Sequence, residues 1–236
     1  MNFRSKRGIG ILSVAALVLG SAVASNAAVV VATSNQVGDG VNPFTSTYAP
    51  LTTDLINGLS PTSNSSADLY QREGSPGITA LTEGVFPVLD AGTRESLHRG
   101  LATTGNSGGT FVTYTFPTSD VARVDVYGGW NDKGRDEQNF GIKFSTDGGA
   151  NWGPEILSES FNPSVGAGLQ SATRVSISDN AGPLATGVNA IYINWEIGVE
   201  NGYTGTAEID VVAVPEPIGL ATTGLLSLGL LVRRRK

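Results

Sequence analysis

In separate runs between residues 110 and 212, bulky apolar side chains recur at every second position, the period of a strand with one face in a core and the other in water. In Thr110–Phe116, Val112, Tyr114 and Phe116 alternate with Thr113 and Thr115. The Pro117-Thr118-Ser119-Asp120 cluster is expected to end this strand. Alternation resumes over Val121–Tyr127, with Val124 and Val126 on one face and Arg123 and Asp125 on the other. Phe140, Ile142 and Phe144 then face inward, Lys143 and Ser145 face water, and Asp147-Gly148-Gly149 supplies the positive-φ residues of a turn. The runs 121–127 and 140–145 are expected to be neighbours in a sheet. Further strands are predicted at 174–178, at 190–197 with Ile191, Ile193, Trp195 and Ile197 on one face, and at 207–212 with Ile209 and Val211 inward. No stretch of this region has a helical period, and Gly, Pro, Ser, Thr, Asn and Asp clusters interrupt it at short intervals. That pattern predicts an all-β fold, an antiparallel β-sandwich or jelly roll. Residues 42–109 are the least readable; within them the small polar run 60–66 reads as an exposed loop.

Both chain ends follow other rules. Arg4, Lys6 and Arg7 precede an apolar stretch from Gly8 to Ala24, and Ser25-Asn26-Ala27 supplies small residues where a signal peptidase reads. Residues 1–27 are therefore expected to be a signal peptide cleaved after Ala27, with Ala24 as the alternative. The other end, 214–236, runs Val214-Pro215-Glu216-Pro217, an uncharged apolar segment over 218–232, then Arg233, Arg234, Arg235 and Lys236. As a helix that segment spans roughly 22 Å, short of a hydrocarbon core of about 30 Å, so it is a marginal anchor. The terminal cations favour the cytoplasmic side, leaving Pro215-Glu216-Pro217 outside as an extended, non-helical tripeptide. This order resembles the PEP-CTERM sorting signal. The resemblance implies recognition and removal by an exosortase, transient residence in the inner membrane, and final placement at the cell surface or in the extracellular matrix.

Between the ends lies one domain, 28–213. The full chain has 15 Lys and Arg against 21 Asp and Glu. Without the seven terminal cations and Glu216, the domain keeps about 8 against 20, a net charge near −12, which argues against nucleic acid and anionic lipid as partners. Cysteine is absent, so stability rests on burial even in a compartment that permits disulfides.

Residues 116–152, FPTSDVARVDVYGGWNDKGRDEQNFGIKFSTDGGANW, resemble the centre of discoidin-like domains in the galactose-binding jelly-roll superfamily. Asp54-Leu55-Ile56-Asn57-Gly58 is similar to that family's early turn, and Gly202–Val211 to its closing strand. The resemblance implies a structural calcium where turn and strand meet, with Asn57 giving an oxygen and Glu208 a carboxylate. The alternative is that Asn57 only shapes the turn while Glu208 pairs with an arginine.

No catalytic constellation withstands a test of context. Gly105-Asn106-Ser107-Gly108-Gly109 has the G-x-S-x-G spacing of a nucleophile elbow, which needs a strand before and a helix after. Here Ala102-Thr103-Thr104 is a poor strand and a strand follows at Thr110. One histidine, His98, and no cysteine cannot form a usual zinc site. Asp132, Asp136 and Glu137 share one loop, where glycoside hydrolysis needs carboxylates across a cleft; a solvated acidic loop tied to the sheet by Arg135 is expected. Trp130, Arg135 and Trp152, near strand ends, are the candidate ligand-binding residues, with capping of the core as the alternative role for both tryptophans, and Tyr70, Arg72, Arg94 and Arg99 are weaker candidates. The expected protein is secreted, non-catalytic, processed by signal peptidase and exosortase, and associated with exopolysaccharide. The alternatives are a matrix protein without a specific ligand and a secreted hydrolase.

Overall fold

The computed structural model describes residues 28–38, 44–65, 67–71, 75–86, 102–105, 109–130, 135–158, 160–163, 170–195 and 202–215. They form nine strands: β1 (Val29–Val37), β2 (Ser63–Asn64), β3 (Ala102–Gly105), β4 (Thr110–Trp130), β5 (Phe140–Ser145), β6 (Ile156–Leu157), β7 (Ser171–Asp179), β8 (Ala185–Trp195) and β9 (Tyr203–Ala213). Every pairing among them is antiparallel. One helical turn, α1 (Ala67–Tyr70), and two 3-10 turns, Ser46–Tyr48 and Gly77–Thr82, lie in the segment that the alternation left unread.

The sheet curls through β4. Thr110–Thr115 pairs with β8, and Val112–Thr113 pairs on the other side with β2, whereas Arg123–Trp130 lies between β7 and β9. Two layers result. One is β2, the first half of β4, β8, β5 and β6; the other is β1, β7, the second half of β4, β9 and β3. Val112, Tyr114, Phe140, Ile142, Ile191, Ile193 and Trp195 from the first layer meet Val124, Val126, Val175, Ile177, Ile209 and Val211 from the second in one core. The all-β, antiparallel reading therefore holds for the described residues.

Three local expectations are corrected. Pro117–Asp120 does not end the strand: β4 runs through it, while its register against β8 shifts on either side of Ser119. Proline has no N–H for a ladder, so the strand bulges there and bends from one layer into the other. Second, β5 is not the neighbour of 121–127; it pairs with β8, Phe140 opposite Trp195, because both edges of that part of β4 are taken by β7 and β9. Third, Ser145 is buried rather than facing water, because its hydroxyl serves the following turn, donating to Asp147 Oδ1 (2.6 Å) and accepting from the Gly149 amide (2.9 Å). The run 102–104, expected to be a poor strand, belongs to β3, with Thr104 Oγ1 2.9 Å from Thr206 Oγ1.

Trp195 and Ile193 are fully buried. Truncation to Ala should destabilise the mature chain by about 3–5 and about 2–5 kcal/mol respectively, from lost burial and the cavity left behind. Urea unfolding followed by circular dichroism measures both, and a cost below about 1 kcal/mol at either site is incompatible with this core.

Candidate functional site

At one end of the sandwich, β4 finishes on Trp130 and β9 begins at Tyr203. The Arg135 guanidinium carbon lies 4.8 Å from the Trp130 ring centroid and 5.0 Å from that of Tyr203, within range of cation–π attraction to both. The Arg135 carbonyl accepts from the Gly205 amide at 2.9 Å, which fixes the backbone under the side chain. Gly205 is required here: a Cβ would overlap the Gly129 carbonyl oxygen and the Trp130 ring. Trp130 is thus seated on the strand backbone and is 4% exposed, packing in a second cluster with Tyr48, Phe86, Tyr127, Ala172 and Ala207.

The adjoining acidic residues are not solvated as expected. Asp136 is 0% and Glu137 2% exposed. Ser160 donates to Glu137 Oε1 at 2.6 Å, the Thr204 hydroxyl donates to the Glu137 carbonyl at 2.8 Å, and an isolated bridge joins Gln138 to Phe161. The loop folds inward because these bonds and the Arg135 stack hold it against β9. Asp132 lies outside the described residues.

The early turn and β9 also meet as the resemblance implies. Asp54 Oδ1 accepts from the Ile56 amide (2.9 Å) and the Val211 amide (3.3 Å), and Leu55 N–H bonds to the Val211 carbonyl. Glu208 Oε2 accepts from Gly84 N–H at 2.6 Å, and Asp210 Oδ2 from Leu51 N–H and the Tyr127 hydroxyl at 2.9 and 3.1 Å. Gly84, at φ +70°, sits beside Asn57: a Cβ there would be 2.9 Å from Asn57 Oδ1. Asn57 and Glu208, predicted from distant parts of the chain, therefore flank the same glycine, and the Glu208 partner is an amide rather than an arginine. The other oxygens, Asp54 Oδ2, Asn57 Oδ1, Glu208 Oε1 and Asp210 Oδ1, are buried without a hydrogen bond. Burial, then the neighbouring Asp210 and Asp54 charges, pushes Glu208 up to about 9. Burial likewise raises Asp210 to about 7. Acceptor-only oxygens in such surroundings fit a hard cation. Among the described residues no three His, Cys, Asp or Glu side chains converge as a ready ligand set, so a cation here would draw on Asn57, Glu208 and backbone carbonyls.

Trp152 is not with Trp130. It follows the turn after β5, at the far end of that strand from the Arg135 loop. Asp147 organises the turn, accepting from Asn151 N–H (2.9 Å) and Asn151 Nδ2 (2.7 Å); these bonds and that from Ser145 lower its pKa to about 2. The Trp152 ring instead lies 5.7 Å from Tyr192 on the outer face of the first layer. Tyr70 is a core residue whose hydroxyl donates to the Phe111 carbonyl at 2.7 Å. Gly109 opens directly into β4 and Gly105 is the last residue of β3, so the G-x-S-x-G run joins two strands where an elbow needs a helix. Pro215 is exposed just beyond β9, with Val214 N–H bonded to the Asp120 carbonyl. Ala27, Arg72, Arg94, His98, Arg99, Glu216, Pro217, Arg233, Arg234 and Arg235 lie outside the described residues. Among the described residues no helix is long and apolar enough to cross a membrane.

No protein-family model matches the sequence, and no curated protein matches it. Solved structures similar to the chain include a family 32 carbohydrate-binding module from C. perfringens NanJ in complex with galactose. It has 14% identity and a TM-score of 0.39, over 64% of this chain and 90% of that one. A Clostridium perfringens module in complex with GalNAc-β-1,3-galactose has 13% identity and a TM-score of 0.39, over 65% and 93%. An F5/8 type C domain from Bacteroides fragilis has 15% identity and a TM-score of 0.33, over 56% and 76%. The ligands named are those proteins' own.

Glu208 and Asp210 carry raised folded-state pKa values, so the stability tied to their protonated forms is complete below the unfolded values and is lost as pH rises through the folded ones. In chelator, the melting temperature should therefore fall from about pH 4.5 towards pH 9. Glu208→Gln should flatten the upper part of that slope in a thermal melt series, and an unchanged slope would contradict the burial of an acid at this position.

Proposed function

We propose that the chain is an exported, non-catalytic carbohydrate-binding protein of the cell envelope or extracellular matrix. The observation that carries this reading is the Arg135 guanidinium held between Trp130 and Tyr203 at the loop end of an antiparallel sandwich. A planar five-donor group with fixed orientation suits a ring of hydroxyl oxygens, and the half-buried Tyr203 ring beside it offers apolar contact to a sugar, while the buried Trp130 only seats the guanidinium. The buried turn beneath the second layer takes a structural calcium through Asn57 and Glu208, which replaces costly protonation by charge neutralisation. Calcium has no turnover role in this reading; it holds the 51–58 and 83–84 segments on β9.

The chain ends supply the placement. Signal peptidase cuts after Ala27, and exosortase acts at Pro215-Glu216-Pro217 while Arg233, Arg234 and Arg235 hold the tail in the inner membrane. Pro215 stands exposed two residues beyond β9, where a processing enzyme can reach it. Exopolysaccharide is the partner met after release.

Each part has its own measurement. Removing a charged donor from a sugar site costs about 1.5–3 kcal/mol, so Arg135→Ala should weaken the best glycan-array ligand of the mature protein by at least about tenfold; equal binding would reject the loop-end site. Calcium at about a hundred times its dissociation constant should add about 2.7 kcal/mol of stability, with Asn57→Ala reducing the gain. An unchanged melting point in calcium and in chelator removes the cation from the account. Intact-mass analysis of protein from the cell surface should show loss of residues after the Pro-Glu-Pro, and replacing Arg233, Arg234 and Arg235 by Ser should leave precursor.

A further inference from the structure

The two layers treat their outer faces differently. The second layer's is covered: Phe44, Tyr48 and Phe86 pack on Tyr127 and Trp130. The first layer's outer face carries Phe111 from β4, Tyr192 from β8 and Trp152 from the turn after β5. Their ring centroids are 5.3 Å apart (Phe111 to Tyr192, planes at 26°) and 5.7 Å apart (Tyr192 to Trp152, planes at 53°). All three rings are half-buried and keep surface open to solvent. Leu157, 56% exposed, continues the apolar strip beyond Gly141.

Polar groups border the row. Lys143 Nζ lies 5.5 Å from the Tyr192 ring and 3.5 Å from Glu155 Oε1. The Glu155 carboxylate rests over Gly141, where a Cβ would come within 2.6 Å of it. Among the described residues the Lys143 and Glu155 charges on this strip cancel, on a domain whose net charge is strongly negative. An anionic polymer is thus repelled by the domain and meets a local cation already paired, whereas a neutral polymer loses nothing on approach. The changing tilt along the row matches a chain that twists from residue to residue and mismatches a flat crystalline surface.

We infer that this face is a second carbohydrate site, which binds a neutral, soluble polysaccharide across the exposed parts of the stacked Phe111–Tyr192 pair and of Trp152, with Lys143 and Glu155 bonding to hydroxyls. It stands independently of the Arg135 end, from which it is separated by the length of β5. With two sites facing different directions, one domain bridges two polysaccharide strands, which is a matrix-crosslinking role.

The protein carries its own reporter. Of three tryptophans, Trp195 and Trp130 are 0% and 4% exposed, and Trp152 alone is open to a quencher. Konjac glucomannan, added to the mature protein, should lower acrylamide quenching of tryptophan fluorescence to the level of a Trp152→Phe variant, while sodium alginate and free galactose should not. In affinity electrophoresis through glucomannan, Tyr192→Ala and Trp152→Ala should each be retarded at least about tenfold less, and Arg135→Ala, whatever it loses at the loop end, should keep the protection of Trp152. Trp152→Ala guards against misfolding, since Asp147 holds that turn without the ring. Three results would overturn the inference: no protection by glucomannan, equal protection by alginate, or protection that grows with protein concentration alone, which would mean that a second copy covers the face. Loss of array binding in Arg135→Ala with protection intact would leave this site standing, and the reverse would leave the loop-end site standing.

Discussion

A strand can pair along only two edges, and β4 uses both of its edges twice. Its first half is closed by β2 and β8, its second by β7 and β9. Buried backbone groups must find partners, so the crossing between layers is tolerable only where the ladder is already interrupted. Pro117, without an N–H, and the exposed Thr118 and Asp120 provide that interruption. Everything else follows from this bend: the core is the space between the two halves of one strand, and β5 is displaced to β8 because both edges of 123–128 are taken.

The same arrangement explains why acidic side chains are buried in the second layer. Asp125, Glu208 and Asp210 point outward from paired positions on β4 and β9, and segments 44–59 and 83–86 then cover that face. Each carboxylate needs donors once water is gone. Asp125 Oδ2 takes Arg123 Nε at 2.9 Å and Arg174 Nη2 at 2.8 Å, whereas Glu208 and Asp210 have mainly backbone amides and a tyrosine hydroxyl. The difference in partner charge separates a pair of ordinary ion bridges from a place where a cation would be favoured.

Among the described residues the first layer has no such cover, and its outward positions differ in kind: aromatic, hydroxyl and amide side chains, with Lys143 and Glu155 paired at the border. Both proposed sugar contacts include a ring that is partly open to water, Tyr203 beside Arg135 and Trp152 on its hydrogen-bonded turn, whereas Trp130 is buried under Arg135 on the strand backbone. One presents a fixed cation, the other a bare row of rings.

Period-two alternation sufficed for the strands whose inner face is apolar, because burial of one face is a local property of sequence; 110–116, 140–145, 190–195 and 207–212 were legible for that reason. So was the Asp147 turn, which is set by local side-chain hydrogen bonds. β1 and β3 were not, since Val29-Val30-Val31 and Ala102-Thr103-Thr104 do not alternate and gain strand form only from β7 and β9 alongside. Asn57 and Glu208 were brought together by resemblance, and the fold places both at Gly84. Strand partners, the inward turn of Asp136 and Glu137, the separation of Trp152 from Trp130, and the company of Phe111 and Tyr192 were decided by tertiary structure alone. Each depends on which strand lies beside which, and alternation records only the face of a residue and not its neighbour across the sheet.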